Sequence, residues 1–323
     1  MEMKDIGERK IIDSLMEMFS TIVEDDSFYF NKDDIYILVT TDTITKKTHI
    51  PEKVDPQKAG YFFGALNLSD IAAMGGIPRY FLSAYSVSRE FNWEYFLGFN
   101  KGLKSCLERH STKLVGGDMK EGYDFTATGI VIGEVESNRI MKRINFKPGQ
   151  VVAVTNSLGY NAAGYFLWKN GEEKGAEIML DIEPRIGEGR YLSYLGVNAA
   201  MDLSDGLFSS IYQIKKQTGT GFKIKMESIP VHPLALEVAK KYSIPIKEIA
   251  LNFGGEYELM FSVDYEKWEN VKTSMEREGF IVTKIGETWK GENTILYGEK
   301  EVIINERGYE HFSKGTFLQG RRE

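Results

Sequence analysis

A single cysteine, Cys106, is the only thiol in this chain of 323 residues, which excludes an internal disulfide and any zinc centre built on cysteine. Its flanks, Leu103 and Leu107, read as a half-buried helix face rather than a nucleophilic site. Histidine is scarce as well: His49, His110, His232 and His311 share no metal-ligand spacing, and His110 and His232 read as surface or packing residues. Long apolar runs are missing, none approaching the ~18 residues of a membrane span, and the first residues carry acids where a secretory leader carries an apolar core. Clustered basic residues are missing too, and a net charge of -7 argues against a nucleic-acid surface. The expectation is a cytoplasmic protein with neither membrane nor nucleic acid among its partners. There is no Walker A loop and no protein-kinase catalytic loop, and Gly187-Glu188-Gly189 lacks the third glycine of a dinucleotide fingerprint.

What is present is ordinary in bulk, with 42% apolar and 27% charged residues and enough length for two domains. Ile6, Ile11, Ile12, Leu15 and Phe19 recur at helical spacing and predict an amphipathic helix over 5–19. Two strand-like runs, Phe28-Tyr29-Phe30 and Ile35 to Val39, follow, the second ending on Thr41-Asp42. Asp55-Pro56 supplies a cap and a first helical residue and Gly75-Gly76 a stop, so one helix carries Asp70 in its last turns. Further on, the pattern predicts strands at 80–87, 113–115 and 124–135 with a helix at 92–110. The strand at 113–115 runs into Gly116-Gly117-Asp118, where paired glycines let backbone approach a ligand. The strand at 124–135 has few charges to protect an edge and is the candidate for pairing between subunits.

Mixed polarity from Arg139 to the Pro148-Gly149 turn marks a boundary, placing one domain at 1–145 and a second at 146–323. In the second, strands are expected near 151–154, 221–226, 257–263, 281–285 and 293–304, and within Ala199 to Leu207 a short strand feeds a helix that runs to Gly219. Helices are expected at 160–169, 188–196, 233–242 and 265–278, with a polar linker at 170–187. The fold class is mixed α/β (α+β).

Seven acids, Asp25, Asp26, Asp42, Asp70, Asp118, Asp202 and Asp205, sit beside Gly, Ser, Thr or another acid rather than in ion-pair ladders. Taken singly, each reads as a helix or turn cap, as Asp202, Ser204 and Asp205 do before Gly206-Leu207. Taken together, convergence of these carboxylates demands divalent cations. Oxygen-only ligation suits Mg2+, which in turn points to phosphate.

Several blocks together resemble the thiamine-monophosphate kinases, within the superfamily named for aminoimidazole ribonucleotide synthetase. They are Thr41-Asp42-Thr43 with His49, Asn67 to Gly75, Gly116-Gly117-Asp118, Arg143 with Lys147-Pro148-Gly149, Asp202 to Leu207, Tyr257-Glu258-Leu259, and Gly308 to Phe312. They run through nearly the whole chain in the family's order, and Asn67-Leu68-Ser69-Asp70-Ile71-Ala72-Ala73-Met74-Gly75 is the most specific. Two blocks depart from the family pattern. Glu24-Asp25-Asp26-Ser27 stands for Gly-Asp-Asp-Ala, and Gly254-Gly255-Glu256-Tyr257-Glu258-Leu259 for Gly-Glu-Asp-Tyr-Glu-Leu.

The resemblance implies ATP-dependent phosphorylation of thiamine monophosphate to thiamine diphosphate, in a homodimer of two-domain chains whose amino-terminal strands pair between subunits. It implies Mg2+ at Asp26, Asp42, Asp70, Asp118, Asp202 and Asp205. Thr43, Gly117, Asp118 and Ser204 would meet the nucleotide, and His49, Arg143 and Tyr309 the substrate. Two other readings stay open: another ATP-dependent enzyme of the superfamily, such as a purine-pathway synthetase, and a catalytically silent nucleotide-binding dimer. The selenium and hydrogenase-maturation members carry a cysteine near one terminus, which this chain lacks.

Overall fold

The computed structural model describes residues 3–20, 22 and 24–305; Tyr309 and His311 lie outside them. The chain begins with α1 (Glu8–Met18), then β1 (Phe28–Lys32) and β2 (Ile35–Thr45), an antiparallel pair turned at Asp33. After the short α2 (Lys46–His49) comes α3 (Pro56–Ala73). It starts as the sequence predicts, with the Asp55 carboxylate accepting from the Gln57 N–H at 2.9 Å and Pro56 in the first turn. From Ala59 to Ala73 all α3 residues but Tyr61 and Asp70 are buried, so this part of the helix is apolar all round rather than amphipathic.

Next come β3 (Ile77–Val87), α4 (Trp93–Arg109), β4 (Lys113–Glu121) and β5 (Thr126–Glu136), completing a five-stranded sheet in the order β1-β2-β5-β3-β4. Helices α3 and α4 cover one face, against the buried residues Ala127, Val131 and Val135 of β5. Two expectations are corrected here. The strand at 124–135 is not a free edge, because β5 pairs with β2 on one side and β3 on the other; the open edges are β1 and β4. Gly116-Gly117-Asp118 is not a loop after a short strand but the middle of β4, where Gly117 pairs with Ser83.

The second sheet is built from β6 (Gln150–Thr155), β7 (Ala199–Asp202), β8 (Gly221–Lys225), β9 (Leu259–Asp264), β10 (Val282–Trp289), β11 (Thr294–Tyr297) and β12 (Lys300–Ile303), in the order β12-β11-β8-β10-β6-β9-β7. The helices between its strands are α5 (Tyr160–Lys169), α6 (Lys174–Met179), α7 (Ile186–Tyr194), α8 (Leu207–Thr218), α9 (Pro233–Tyr242), α10 (Ile246–Ala250) and α11 (Trp268–Arg277). The mixed α/β class holds. The expected polar linker at 170–187 contains α6, hidden from periodicity because it is only six residues long and docks through glycine: a Cβ on Gly175 would sit 2.3 Å from the Gly164 carbonyl oxygen. The expected strand at 293–304 is a hairpin, turned at Gly298 with φ 59. The proposed boundary at 145/146 lies between the last strand of the first sheet and the first of the second.

The two bodies share apolar packing. Met179, Leu180, Ile182 and Ile186 belong to the same core as Phe63, Leu66 and Ile71 of α3. Glycine sets the closest approach, since a Cβ on Gly189 of α7 would lie 2.0 Å from the Ala72 carbonyl oxygen. Within the first body, a Cβ on Gly60 would lie 1.7 Å from the Phe99 oxygen and one on Gly102 1.8 Å from that of Gln57, so α3 and α4 touch backbone to backbone. Substituting Gly102→Ala forces those helices apart, with an expected loss of about 1–3 kcal/mol in chemical denaturation. Unaltered stability contradicts the packing.

Glu256 occupies the start of α5. That helix begins at Gly159, which has no side chain to cap it, and the buried Glu256 carboxylate accepts from the Ala162 N–H at 3.4 Å instead. Removal from water pushes its pKa up to about 8 from 4.5. The folded state thus holds a proton that the unfolded chain releases, and this contribution to stability is lost as pH rises from about 4.5 through 8. Glu256→Gln, which stays neutral, should gain several degrees in melting temperature relative to wild type between pH 5.5 and 8.5. A constant difference across that range contradicts the assignment.

Candidate active site

Five separate segments deliver carboxylates to one place. Asp26 comes from the turn before β1, Asp42 from β2, Asp70 from the last turns of α3, Asp202 from the end of β7, and Asp205 from the turn that opens α8. One oxygen each of Asp26, Asp70 and Asp202 lie within 4.8 Å of one another, a spacing that a bridging cation spans. Each acid is held by a neighbour. The Thr40 hydroxyl donates to Asp70 and, at 3.3 Å, to the Asp26 carbonyl. Ser69 Oγ donates to Asp202 at 2.8 Å, tying α3 to the second sheet. Asn67 takes the Asp42 N–H at 3.1 Å on its oxygen and gives its amide to the Phe63 carbonyl at 2.9 Å. Gly129 on β5 makes the room, since a Cβ there would lie 2.4 Å from that Asn67 oxygen.

The electrostatics are those of an under-neutralised cluster. Loss of water, with Asp202, Asp205 and Glu8 nearby, pushes Asp42 up to about 7. Asp202 rises to about 6, mainly by burial and then by Asp26, and Asp70 rises well above the carboxylate range by burial and by Asp42. Arg143 is the cation set among them. Its Nη2 donates to Asp26 Oδ1 at 2.5 Å, its backbone N–H to Asp25 at 3.3 Å and its Nη1 to Gln213 at 3.3 Å. The second Asp26 oxygen is sealed from solvent and has no hydrogen-bond partner. An unsatisfied buried carboxylate oxygen beside two more carboxylates fits a hard cation bound through oxygen.

Asp42, Asp70, Asp202 and Asp205 line a cavity of about 300 Å³ between the two sheets' helices. Of the residues expected at the site, Asp42, Thr43, His49, Asp70, Arg143, Asp202, Ser204 and Asp205 line it, and Asp26 stands behind Arg143. His49 is oriented by its own turn, Nδ1 facing the Thr45 N–H at 3.2 Å and the Thr48 hydroxyl at 2.7 Å. Gly117 and Asp118 are not brought to this cavity. Asp118 points from the exposed edge strand β4, its side chain 62% exposed and 3.4 Å from Lys120. Tyr309 falls outside the described residues.

The rest of the lining is largely apolar and went unread in the sequence: Phe62, Met179, Leu180, Phe253 and Tyr257, with Asn161 and Glu8; burial and the nearby Asp42, Asp202, Asp205 and Asp70 push the Tyr257 hydroxyl up. Nothing in periodicity marks such residues, because they come from a buried helix, a short helix and a loop. Tyr257 alone carried a signal, through its place in the Tyr257-Glu258-Leu259 block, and it adopts φ 52. Its neighbour Glu258 explains that anchoring: Arg185 grips it through two nitrogens at 2.6 and 2.9 Å, while Thr155 and Asn156 donate at 2.5 and 3.0 Å.

Comparison with known proteins agrees with this architecture. Residues 24–135 match the family model for the N-terminal domain of AIR synthase related proteins, and residues 147–299 that for the C-terminal domain. A thiamine-monophosphate kinase of Pyrococcus horikoshii is 32% identical over 321 residues, covering 98% of this chain and 99% of that one. The solved structure of AaThiL complexed with AMPPCP and TMP superposes with a TM-score of 0.85 at 26% identity, covering 96% and 99% of the two chains. Escherichia coli HypE, a hydrogenase maturation protein, shares the fold at 19% identity, with a TM-score of 0.73 over 93% and 98%. A full-length relative above thirty per cent identity, both domain models and the converging acids lead to one assignment: the chain belongs to the thiamine-monophosphate kinase family of AIR synthase related proteins.

Proposed function

We propose that this chain transfers the γ-phosphoryl group of ATP to the phosphate of thiamine monophosphate, giving thiamine diphosphate and ADP. The observation that carries the reading is the cavity itself, lined by both the converging acids and aromatic residues, in a chain of this family. The acceptor is a phosphate monoester, whose second pKa of about 6 leaves it mostly dianionic at neutral pH, so no general base is required. The catalytic problem is the approach of two anions, met by charge and in-line positioning.

Mg2+ held by Asp26, Asp42, Asp70, Asp202 and Asp205 would supply the positive charge that clamps both phosphate groups. Arg143 adds a fixed charge behind the acids, braced by Asp25 and Asp26. Thr43 and Ser204, on the cavity wall, would offer hydroxyls to the nucleotide, and His49, on the same wall, would meet the acceptor. Metal and nucleotide roles for Gly117 and Asp118, and a substrate contact for Tyr309, are proposed from the family resemblance. In this reading residues 1–145 supply Asp26, Asp42 and Asp70, and residues 146–323 supply Asp202, Asp205 and the apolar wall.

The same reading includes a homodimer working in the cytoplasm. No helix among the described residues is long and apolar enough to cross a membrane. The face of the first sheet opposite α3 and α4 is covered by nothing in the described chain. It shows half-buried Ile37, Val39, Ile130 and Ile132, and beside Ile132 lies Tyr80, 46% exposed. A second copy is the partner that this partly apolar face and the open β4 edge accept.

A coupled assay for ADP release tests the reaction. Release should require both Mg2+ and thiamine monophosphate; release without the acceptor, or only with a purine-pathway substrate, contradicts it. Asp42→Asn and Asp205→Asn should each cost at least about 10²-fold in kcat. Because each change relieves repulsion in the cluster, the metal-free variants should melt no lower than wild type. Normal turnover in both variants refutes the metal assignment, and a lowered melting temperature with intact kcat returns these acids to a capping role. For the assembly, light scattering at micromolar concentration should give twice the chain mass of 36.7 kDa, and a monomer excludes the dimer.

A further inference from the structure

Behind the acids, one neutral side chain links groups that belong to different bodies. Gln213 lies in α8 one turn beyond Ser209, on the same helix face, and that face is turned back toward Asp205 in the turn that opens the helix. Its Nε2 donates to Asp205 Oδ2 at 3.4 Å and to Ser209 Oγ at 3.1 Å, and its Oε1 accepts from Arg143 Nη1 at 3.3 Å. A guanidinium only donates, so the direction of the amide is dictated. Flipped, it would set its own N–H groups against those of Arg143 and its oxygen against a carboxylate. Ser209 is fully buried and also accepts from Arg9 Nη2 of α1 at 3.1 Å, which steadies the amide from its other side.

Arg143 depends on this contact. Its side chain is 13% exposed, and among the described residues Asp26 and Gln213 are the two side chains to which its guanidinium donates, while Nε is sealed from solvent with no partner. A continuous relay results, Asp26–Arg143–Gln213–Asp205, with one of the proposed metal acids at each end. It runs from the turn before β1 in the first body to the opening of α8 in the second. The choice of an amide for the middle of the relay has a chemical reason. A cation placed directly on Asp205 would compete with a bound metal ion, whereas a neutral N–H donor fixes the carboxylate and leaves its charge for the metal.

We infer that Gln213 is a positioning residue for the metal platform: through its amide, the fixed cation Arg143 sets the direction in which Asp205 presents its carboxylate to a divalent ion. Asp26 and Asp205, one from each body, are thereby held in register before any metal arrives. The inference rests on the metal reading of the acids given above and adds to it the residue that couples the two bodies' contributions. Removing the amide leaves Asp205 free to turn away and Arg143 with one fewer bond, so the loss falls on metal affinity rather than on the chemical step.

The test is Mn2+ binding to the full chain with AMPPCP present, followed by electron paramagnetic resonance. Gln213→Leu, which keeps the bulk of the side chain, and Gln213→Ala, which does not, should each bind one ion per chain about tenfold or more weakly than wild type. Either variant suffices if the other fails to fold. Ser209→Ala takes a bond from the same amide but leaves the relay intact, and should stay within about twofold of wild type. In the ADP-release assay the Mg2+ concentration giving half the maximal rate should rise in the Gln213 variants by about the same factor, with kcat at saturating Mg2+ within about threefold of wild type. Wild-type Mn2+ affinity in the Gln213 variants overturns the inference. So does a loss confined to Gln213→Ala, or one that Ser209→Ala reproduces, because packing of α8 then accounts for it. A wild-type chain that binds no Mn2+ with AMPPCP overturns the metal reading and this inference with it, a result distinct from equal binding by wild type and variants.

Discussion

Mutual repulsion among Asp26, Asp42, Asp70 and Asp202 is the constraint around which this molecule is built. At the few ångströms that separate the oxygens of three of these acids, like charges in a partly dehydrated site repel by several kcal/mol per pair, and Arg143 offsets only part of that. Such a cluster persists because each carboxylate is attached to an element held elsewhere. Asp42 belongs to an eleven-residue strand paired on both sides, Asp70 to a helix buried over most of its length, and Asp202 to a buried edge strand of the second sheet. The elements are not free to move apart, so the acids wait for positive charge.

The glycines follow from that demand. Where α3 meets α4 and α7, close backbone approach brings the end of α3 against the second body. Ser69 then reaches Asp202 from one side while Thr40 reaches Asp70 from the other. Gly129 makes room for Asn67, which fixes the backbone at Asp42. The same packing closes the cavity with Met179 and Leu180.

Much of this was legible in the sequence wherever local chemistry settles local structure. Asp55-Pro56 and Gly75 bracket α3 because capping needs no tertiary context, and the acids stood out because each lacked an ion-pair neighbour along the chain. Convergence was not legible: spacing says nothing of which strand lies beside which, and so β5, charge-poor along its length, read as an edge when it is central. Asp118 shows the same limit, since a Gly-Gly-Asp turn and a Gly-Gly-Asp strand look alike until the partner of Gly117 is known. The apolar wall was hidden for another reason. Phe62 sits in a helix buried on every side, where no stripe distinguishes the residue that faces a cavity from those that face a core.

The central claim is that the acids form a metal platform for phosphate and not a set of caps. Manganese binding followed by electron paramagnetic resonance, with the non-hydrolysable nucleotide AMPPCP present, tests it most directly. The account predicts that Asp70→Asn binds at least one metal ion fewer per chain than wild type, or binds it at least about tenfold more weakly, with the fold unchanged by circular dichroism. Identical metal stoichiometry and affinity in the two proteins would contradict it.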